Sequence, residues 1–437
     1  MPFNYFDTQF DEPEAIPMAI ASTRLTLYHG ALVIATVAIF FSNLPDYIHH
    51  QDLSQPWTVP KNWVLALCLL SVPVALRQQS IETLLRSPIT LWCLGYVWIS
   101  ILWFFHSSQA DATWLELRLR ILAVLEMIFV LMILADPIAV RLAQRILAAA
   151  VLFGVAINLY ELFAPMTFSR VSGRSAGLYM NPNHSGQALV LGMILCANLF
   201  HVSKRIPFML ITGVGVFVTF SRASILAWLI AVVSMLIIDR ARLRDFLPSI
   251  ALCLLIGAFL VLPRLDQWLT SWERSGTLNP DVQERLAWLA DPFGVSDSSS
   301  SSRTTVARGA WDVFAESPLI RRGTGSTHQV APEPHNQYLV LMVDHGIIGV
   351  IILPLLILSV IWCSRGGMRG TAFVFGGTVL LLSLWTHTIM RDEHTLVLFS
   401  LMAAMAFVSG TRARMLGLKH EVFHGTASAM NGRQHLA

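Results

Sequence analysis

The chain has 437 residues, of which 55% are hydrophobic and 13% charged, and its mean hydropathy is +0.60. A soluble domain carries about 25% charged residues, so this chain lacks the polar surface to cover an ordinary globular core. That excludes a soluble enzyme, a disordered chain and a disulfide-rich secreted domain, and a net charge of +3 gives no sign of a nucleic-acid partner.

A helix that crosses a bilayer needs about 20 mostly apolar residues. In chain order such stretches are predicted near 24–43, 62–77, 88–106, 117–135, 140–163, 186–203, 206–221, 223–239, 246–263, 337–362, 370–388 and 395–411. The fold class expected is all-α, a polytopic membrane protein with about 12 transmembrane helices. Asp7, Asp11, Glu12 and Glu14 precede the first stretch, where a cleavable signal needs positive charge, so it reads as a retained anchor. Alternate connections are basic: Arg77 and Arg86, Arg141 and Arg145, Lys204 and Arg205, Arg240 to Arg244, Arg365 and Arg369, and the tail. The positive-inside rule then places both termini in the cytoplasm.

Four regions follow. Residues 1–263 hold spans one to nine, 264–336 form an exterior loop subdomain, 337–411 hold spans ten to twelve, and 412–437 form a cytoplasmic tail. Within the long loop, 280–292 and 303–317 have helical spacing of apolar residues, and the serine run 298–302 reads as a flexible hinge. The five cysteines lie within or at the end of apolar runs and form no CxxC, so neither a disulfide framework nor a zinc site is expected.

Arginines on the exterior side run against the positive-inside rule and are therefore informative. Arg118 and Arg120 open the fourth stretch, Arg170 and Arg174 lie in the 164–186 loop, Arg222 sits between two spans, and Arg303 is in the long loop. Together they suggest an anionic ligand at the outer membrane face, since the guanidinium fork matches phosphate oxygens. A lipid-linked diphosphate is the natural anion at that depth. Arg118 and Arg120, beside Trp114, read equally well as interfacial anchors. The segment Gly173–Gly186, with Asn181 and Asn183, reads either as a helix cap or as a polar ledge for sugar or phosphate. His335 and Asn336 open the tenth stretch, where a histidine at a wet boundary can serve as a general base. Asp392 and Glu393 read as a solvated turn or as a group that orients a histidine or arginine. No exterior DxD or HExxH occurs, and no metal site is expected.

From His335 the chain reads His-Asn, nine residues, Gly346, two residues, Gly349. This resembles the histidine signature of the bacterial O-antigen ligase family. Arg222 to Leu226 is similar to that family's R-x3-L motif, and Arg303, Trp311, Pro318 and Gly323-Thr324-Gly325 resemble the loop before the histidine. The resemblance implies a GT-C-like glycosyltransferase of the Gram-negative inner membrane with its large loop and active site in the periplasm. It implies transfer of O-antigen glycan from undecaprenyl diphosphate to the lipid A–core acceptor, without a metal or other cofactor. It implies His335, Arg222 and Arg303 as catalytic residues. Arg118, Arg120, Arg170, Arg174, Asn181, Asn183, Asn336 and Asp392 are candidates for substrate binding, with membrane lipids as further partners. An O-antigen polymerase or a protein O-oligosaccharyltransferase of the same superfamily is the alternative. A lipid-linked anion transporter is the alternative from a different class.

Overall fold

The computed structural model describes residues 25–53, 55–238, 282–284, 298–316, 318–319, 322–330 and 332–411. Among them there are helices and no strands. In chain order the principal helices are α1 (Leu27–Ala35, which continues as one widened turn to Phe40), α2 (Leu44–Gln51), α3 (Pro60–Ala75), α4 (Gln78–Arg86), α5 (Pro88–Phe104) and α6 (Asp111–Ile133). There follow α7 (Pro137–Phe163), α8 (Pro182–Cys196), α9 (Val202–Phe217), α10 (Arg222–Ile238) and α11 (Ser298–Ala315). The last are α12 (Gln337–His345), α13 (Gly349–Ile361), α14 (Met368–Leu382) and α15 (Glu393–Thr411).

Eleven of the twelve apolar stretches fall on helices; the one at 246–263 lies outside the described residues, as do residues 1–24 and 412–437. Length and apolar composition separate these described helices. Three are long and apolar enough to cross a membrane, Pro137–Phe163, Gln337–Ile361 and Glu393–Thr411. Two more qualify as bent pairs, α1 with α2 at 58° and α3 with α4 at 110°. Asn43, in the left-handed region at φ 58°, makes the first bend. The second turns the basic connection after Ala75 into α4, which carries Arg86 paired with Glu82. Helices of 15 to 17 residues, such as α5, α8, α10 and α14, span about 25 Å at 1.5 Å per residue, short of a full hydrocarbon core. The serine run, expected as a hinge, instead opens α11, which bears out the helical spacing read at 303–317. Only 282–284 of the helix expected at 280–292 is described, and it is helical.

Helix α8 is the centre of the bundle. Every residue from Ser185 to Cys196 is buried, and α7, α9, α10 and α14 pack around it. Outer helices present the reverse pattern: Leu91, Leu94 and Trp98 on α5, Leu229, Val233 and Ile237 on α10, and Ile351 and Leu355 on α13 are exposed. Apolar faces of this extent are covered by lipid in a membrane protein. Lipid gives no hydrophobic drive for helices to associate, so close packing and side-chain bonds across helices hold them. Trp92 Nε1 donates to Ile352 O at 2.9 Å, Gln144 Nε2 to Leu195 O at 2.8 Å, and Ser400 Oγ to Met127 O at 3.0 Å.

The bundle has two chemically distinct ends. At one end, Arg77 donates to His29 at 3.0 Å, Arg205 donates to Ala197 O at 3.0 Å, Asn198 reaches Thr371, and Arg365 donates to Ser364 O at 3.0 Å. At the other end lie the starts of α6, α8, α10, α12 and α15 and the loop 322–336. The candidate residues gather at this second end.

Candidate functional site

The loop that leads to His335 is laid across the ends of α5 and α6. Thr324 Oγ1 donates to Ser100 O at 2.7 Å, and Gln329 Nε2 donates to Ser108 Oγ at 2.8 Å. Gly325 adopts φ +78°, and a Cβ there would stand 2.9 Å from Thr113 Cα. Only glycine lets the chain pass this close in this conformation. Past His335, the Asn336 side chain accepts from Leu339 N at 3.1 Å and caps α12. At the far end of α12, Gly346 takes φ +65°, with Leu319 O and Pro318 O pressed where a Cβ would lie. The asparagine and this glycine of the His-Asn-x9-Gly-x2-Gly pattern therefore shape the backbone. His335 is left exposed at the tip.

Beneath the loop a chain of charged groups links four elements. Arg120 Nε donates to Glu116 Oε1 at 2.9 Å on its own helix, and the rest of its guanidinium reaches Asp344 and His345 of α12. Arg120 and Asp344 are 5% and 1% exposed. Asp344 also accepts from Gly325 N at 3.1 Å, Thr327 N at 2.9 Å and Thr327 Oγ1 at 2.6 Å. Glu116 Oε2 faces His328 Nε2 at 3.4 Å and Arg391 Nη1 at 3.5 Å. His328 Nδ1 donates to Glu333 Oε1 at 2.6 Å, and Glu333 Oε2 faces His387 Nε2 at 3.5 Å. The ring of His387 lies 5.2 Å from that of His335, centroid to centroid. Glu116, Arg120, Asp344, His328, Glu333, His387 and Arg391 line one polar cavity with Tyr96 and Gln337.

The electrostatics divide this chain. Hydrogen bonding to Glu116, joined by Glu333 against the opposing burial, raises His328 to about 9, so it is charged at neutral pH. Three carboxylates (Glu116, Glu333, Asp344) then face three cations (Arg120, Arg391, His328), and the network is balanced. Burial and then the neighbouring His335 push His387 down to about 4, so it is neutral. His335 also lies below the usual histidine range; partial burial is the main cause, Arg303 adds to it, and Glu333 opposes it. A neutral imidazole at an exposed position can accept a proton, which is the first requirement of a general base.

A second group stands beside the first. Arg174 is 7% exposed; its Nε donates to Thr219 O and its Nη2 to Asn183 Oδ1, both at 3.0 Å. Asn181 caps α8 by accepting from Asn183 N at 2.9 Å. Next to Asn183, His184 stands 3.9 Å from Asp392, which accepts from Thr388 Oγ1 at 2.7 Å. His184 and Arg303 both act on the charge of His335, which ties α8 and α11 to the same end of the bundle. The fold of this loop depends on Glu161, whose carboxylate accepts from Phe168 N, Ser169 N, Ala176 N and Gly177 N. Glu161, buried near the end of α7, thus braces a loop.

The structure gathers His335, Arg303, Arg174, Asn183 and Asp392 at one end of the bundle. Arg222 starts α10 directly after the 218–221 turn that receives Arg174. Arg120 is committed to its carboxylates. Arg118 points away with Asp111 and Trp114 on an outer face, and Arg170 is exposed. Asn181 and Asn336 serve as caps. Glu116, His328, Glu333 and His184 were not singled out in the sequence. The spacing of His328, Glu333 and His335 within eight residues was the available signal. Among the described residues no group of three His, Cys, Asp or Glu side chains is placed to hold a metal ion.

Residues 207–353 match the O-antigen ligase family, a segment that begins in α9 and runs through Arg222 and Arg303 to just beyond the Gly346–Gly349 turn. The family assignment made from the histidine signature is thereby supported over about a third of the chain. No curated protein matches the chain.

Proposed function

We propose that this chain, related to the O-antigen ligase family over residues 207–353, is a membrane glycosyltransferase that acts as an O-antigen ligase. Its donor is a glycan on undecaprenyl diphosphate and its acceptor the lipid A–core oligosaccharide. The observation that carries the reading is the position of His335: neutral, exposed, and inside a family match that also contains Arg222 and Arg303. The basic connections at Arg77, Arg205 and Arg365 lie at the opposite end of the bundle, which by the positive-inside rule supports a periplasmic position for the His335 end. The full count of twelve spans and the GT-C-like arrangement belong to this same proposal.

In the mechanism proposed, His335 takes the proton of an acceptor hydroxyl. The oxygen attacks the anomeric carbon, the bond from that carbon to the phosphate oxygen breaks, and undecaprenyl diphosphate leaves with the electron pair. One displacement inverts the anomeric centre. Arg222, Arg303 and Arg174 supply positive charge where the leaving anion develops. The glycosyl diphosphate is already activated, so acid–base help of about 10²–10⁴-fold meets the need. The test is transfer by the purified protein from undecaprenyl-diphosphate-linked glycan to lipid A–core. Product from the wild type and none from His335→Ala is expected. Product that is only a longer lipid-linked glycan makes the protein a polymerase, and no product in either form contradicts the reading.

A further inference from the structure

We propose that Glu333 and His387 are positioning residues for His335, the carboxylate fixing the neutral histidine ring and supplying negative charge to the imidazolium that forms on His335. The inference rests on the proposed ligase reading.

The geometry is a relay of neighbours on three elements. Glu333 lies two residues before His335 on the same loop. One of its oxygens is held by His328 at 2.6 Å, and His328 is held in turn from α6 by Glu116 at 3.4 Å. The other oxygen faces His387 Nε2 at 3.5 Å, from the loop between α14 and α15. With its Nε2 proton directed to Glu333, neutral His387 keeps the Nδ1 lone pair, and that buried atom has no hydrogen-bond partner among the described residues. The His387 ring stands beside His335 at 5.2 Å. The groups that face His335 are Arg303 of α11, His184 of α8, and Glu333 and His387. Those that face His387 are His335, Glu333, Asp392 and Arg391.

Arg303 and His184 disfavour a cation on His335. Glu333 is the carboxylate that opposes them. When the acceptor O–H bond breaks, the proton forms an N–H bond on His335 and the ring becomes positive. The carboxylate stabilises that charge, and the exposed ring then returns the proton to water. His387 stays neutral through the cycle, so beyond the charged His328 no further cation competes for Glu333. Burial, Arg303 and His184 thus lower the basicity of His335, and Glu333 is the neighbour that opposes them.

The test is transfer from undecaprenyl-diphosphate-linked glycan to lipid A–core across pH by the purified full-length protein, wild type and Glu333→Gln. Removing the carboxylate lowers the basicity of His335. The acid limb of kcat is expected to move to lower pH by roughly one unit, and the plateau to fall about tenfold with KM for the donor little changed. Glu333→Asp, which keeps the charge, is expected to restore the limb. An unmoved limb in Glu333→Gln, whatever its plateau, overturns the inference, and so does a limb that Glu333→Asp leaves displaced. Should Glu333→Gln not fold, the comparison of Glu333→Asp and His387→Asn with wild type decides: Glu333→Asp is expected to keep the limb in place, whereas His387→Asn, which removes the neutral ring that Glu333 holds beside His335, is expected to displace it, and a limb unmoved by His387→Asn overturns the inference. Wild type that makes no product removes the ligase reading itself, whereas wild type that works, a dead His335→Ala and an unmoved limb remove this inference alone.

Discussion

Arg120 and Asp344, 224 residues apart in the chain, form a buried ion pair that closes the loop 323–336 onto α6. Asp344 binds the arginine on one side and the Gly325 and Thr327 amides on the other, so one carboxylate joins α12, α6 and the loop that carries His335. Arg120, expected in the sequence as a substrate ligand, has its donors occupied by protein.

Removing one partner of a buried pair leaves an uncompensated charge, which costs about 3–5 kcal/mol. Arg120→Ala is therefore expected to lower the thermal unfolding midpoint sharply and to abolish activity through loss of fold. Arg118→Ala, on an exposed outer face, is expected to leave the midpoint unchanged. Equal midpoints for the two variants in a detergent melt contradict this assignment.

His328 ties stability to pH. Its folded pKa of about 9 lies above the unfolded value of about 6.5, so its contribution is fully present below 6.5 and is lost as pH rises through 9. The difference in melting temperature between wild type and His328→Gln is expected to be largest at pH 6 and to vanish above pH 9. A difference that grows with pH has the wrong sign for this account.

Gly346 sits at φ +65° with carbonyl oxygens 2.6 and 2.7 Å from where a Cβ would be. Neighbouring backbone cannot yield as a side chain can. Gly346→Ala is expected to destabilise the protein by about 2 kcal/mol or more, whereas Gly377→Ala, with open space around it, is expected to be neutral. Thermal unfolding of the two variants checks this.

The activity of His335 follows the same sign rule. A base is active when unprotonated, and this imidazole titrates below the usual histidine range. Activity is expected to rise with pH and to level off at a lower pH than an ordinary histidine base would give. A rate that still climbs above pH 8 contradicts His335 as the base.

What the sequence made legible follows from what each feature needs. Spans need only local apolarity, so α7, α13 and α15 could be read directly, while the bends at Asn43 and after Ala75 depend on tertiary packing and could not. Arg222 and Arg303 stood out because arginines in connections expected to be exterior run against the positive-inside rule, and His335 because of the His-Asn pattern it opens. Glu116 did not, because its meaning lies in contacts with His328 and Arg391, 212 and 275 residues away. Glu333 looked like an ordinary loop carboxylate until the fold brought His387 to its other side.

The most direct test of the central claim is the lipopolysaccharide profile of a strain lacking this protein, complemented with wild type or with His335→Ala. The account predicts core-only lipopolysaccharide and long glycan retained on the lipid carrier, rescued by wild type and not by His335→Ala at equal expression. A normal glycan ladder in the deleted strain, with no second ligase present, contradicts it.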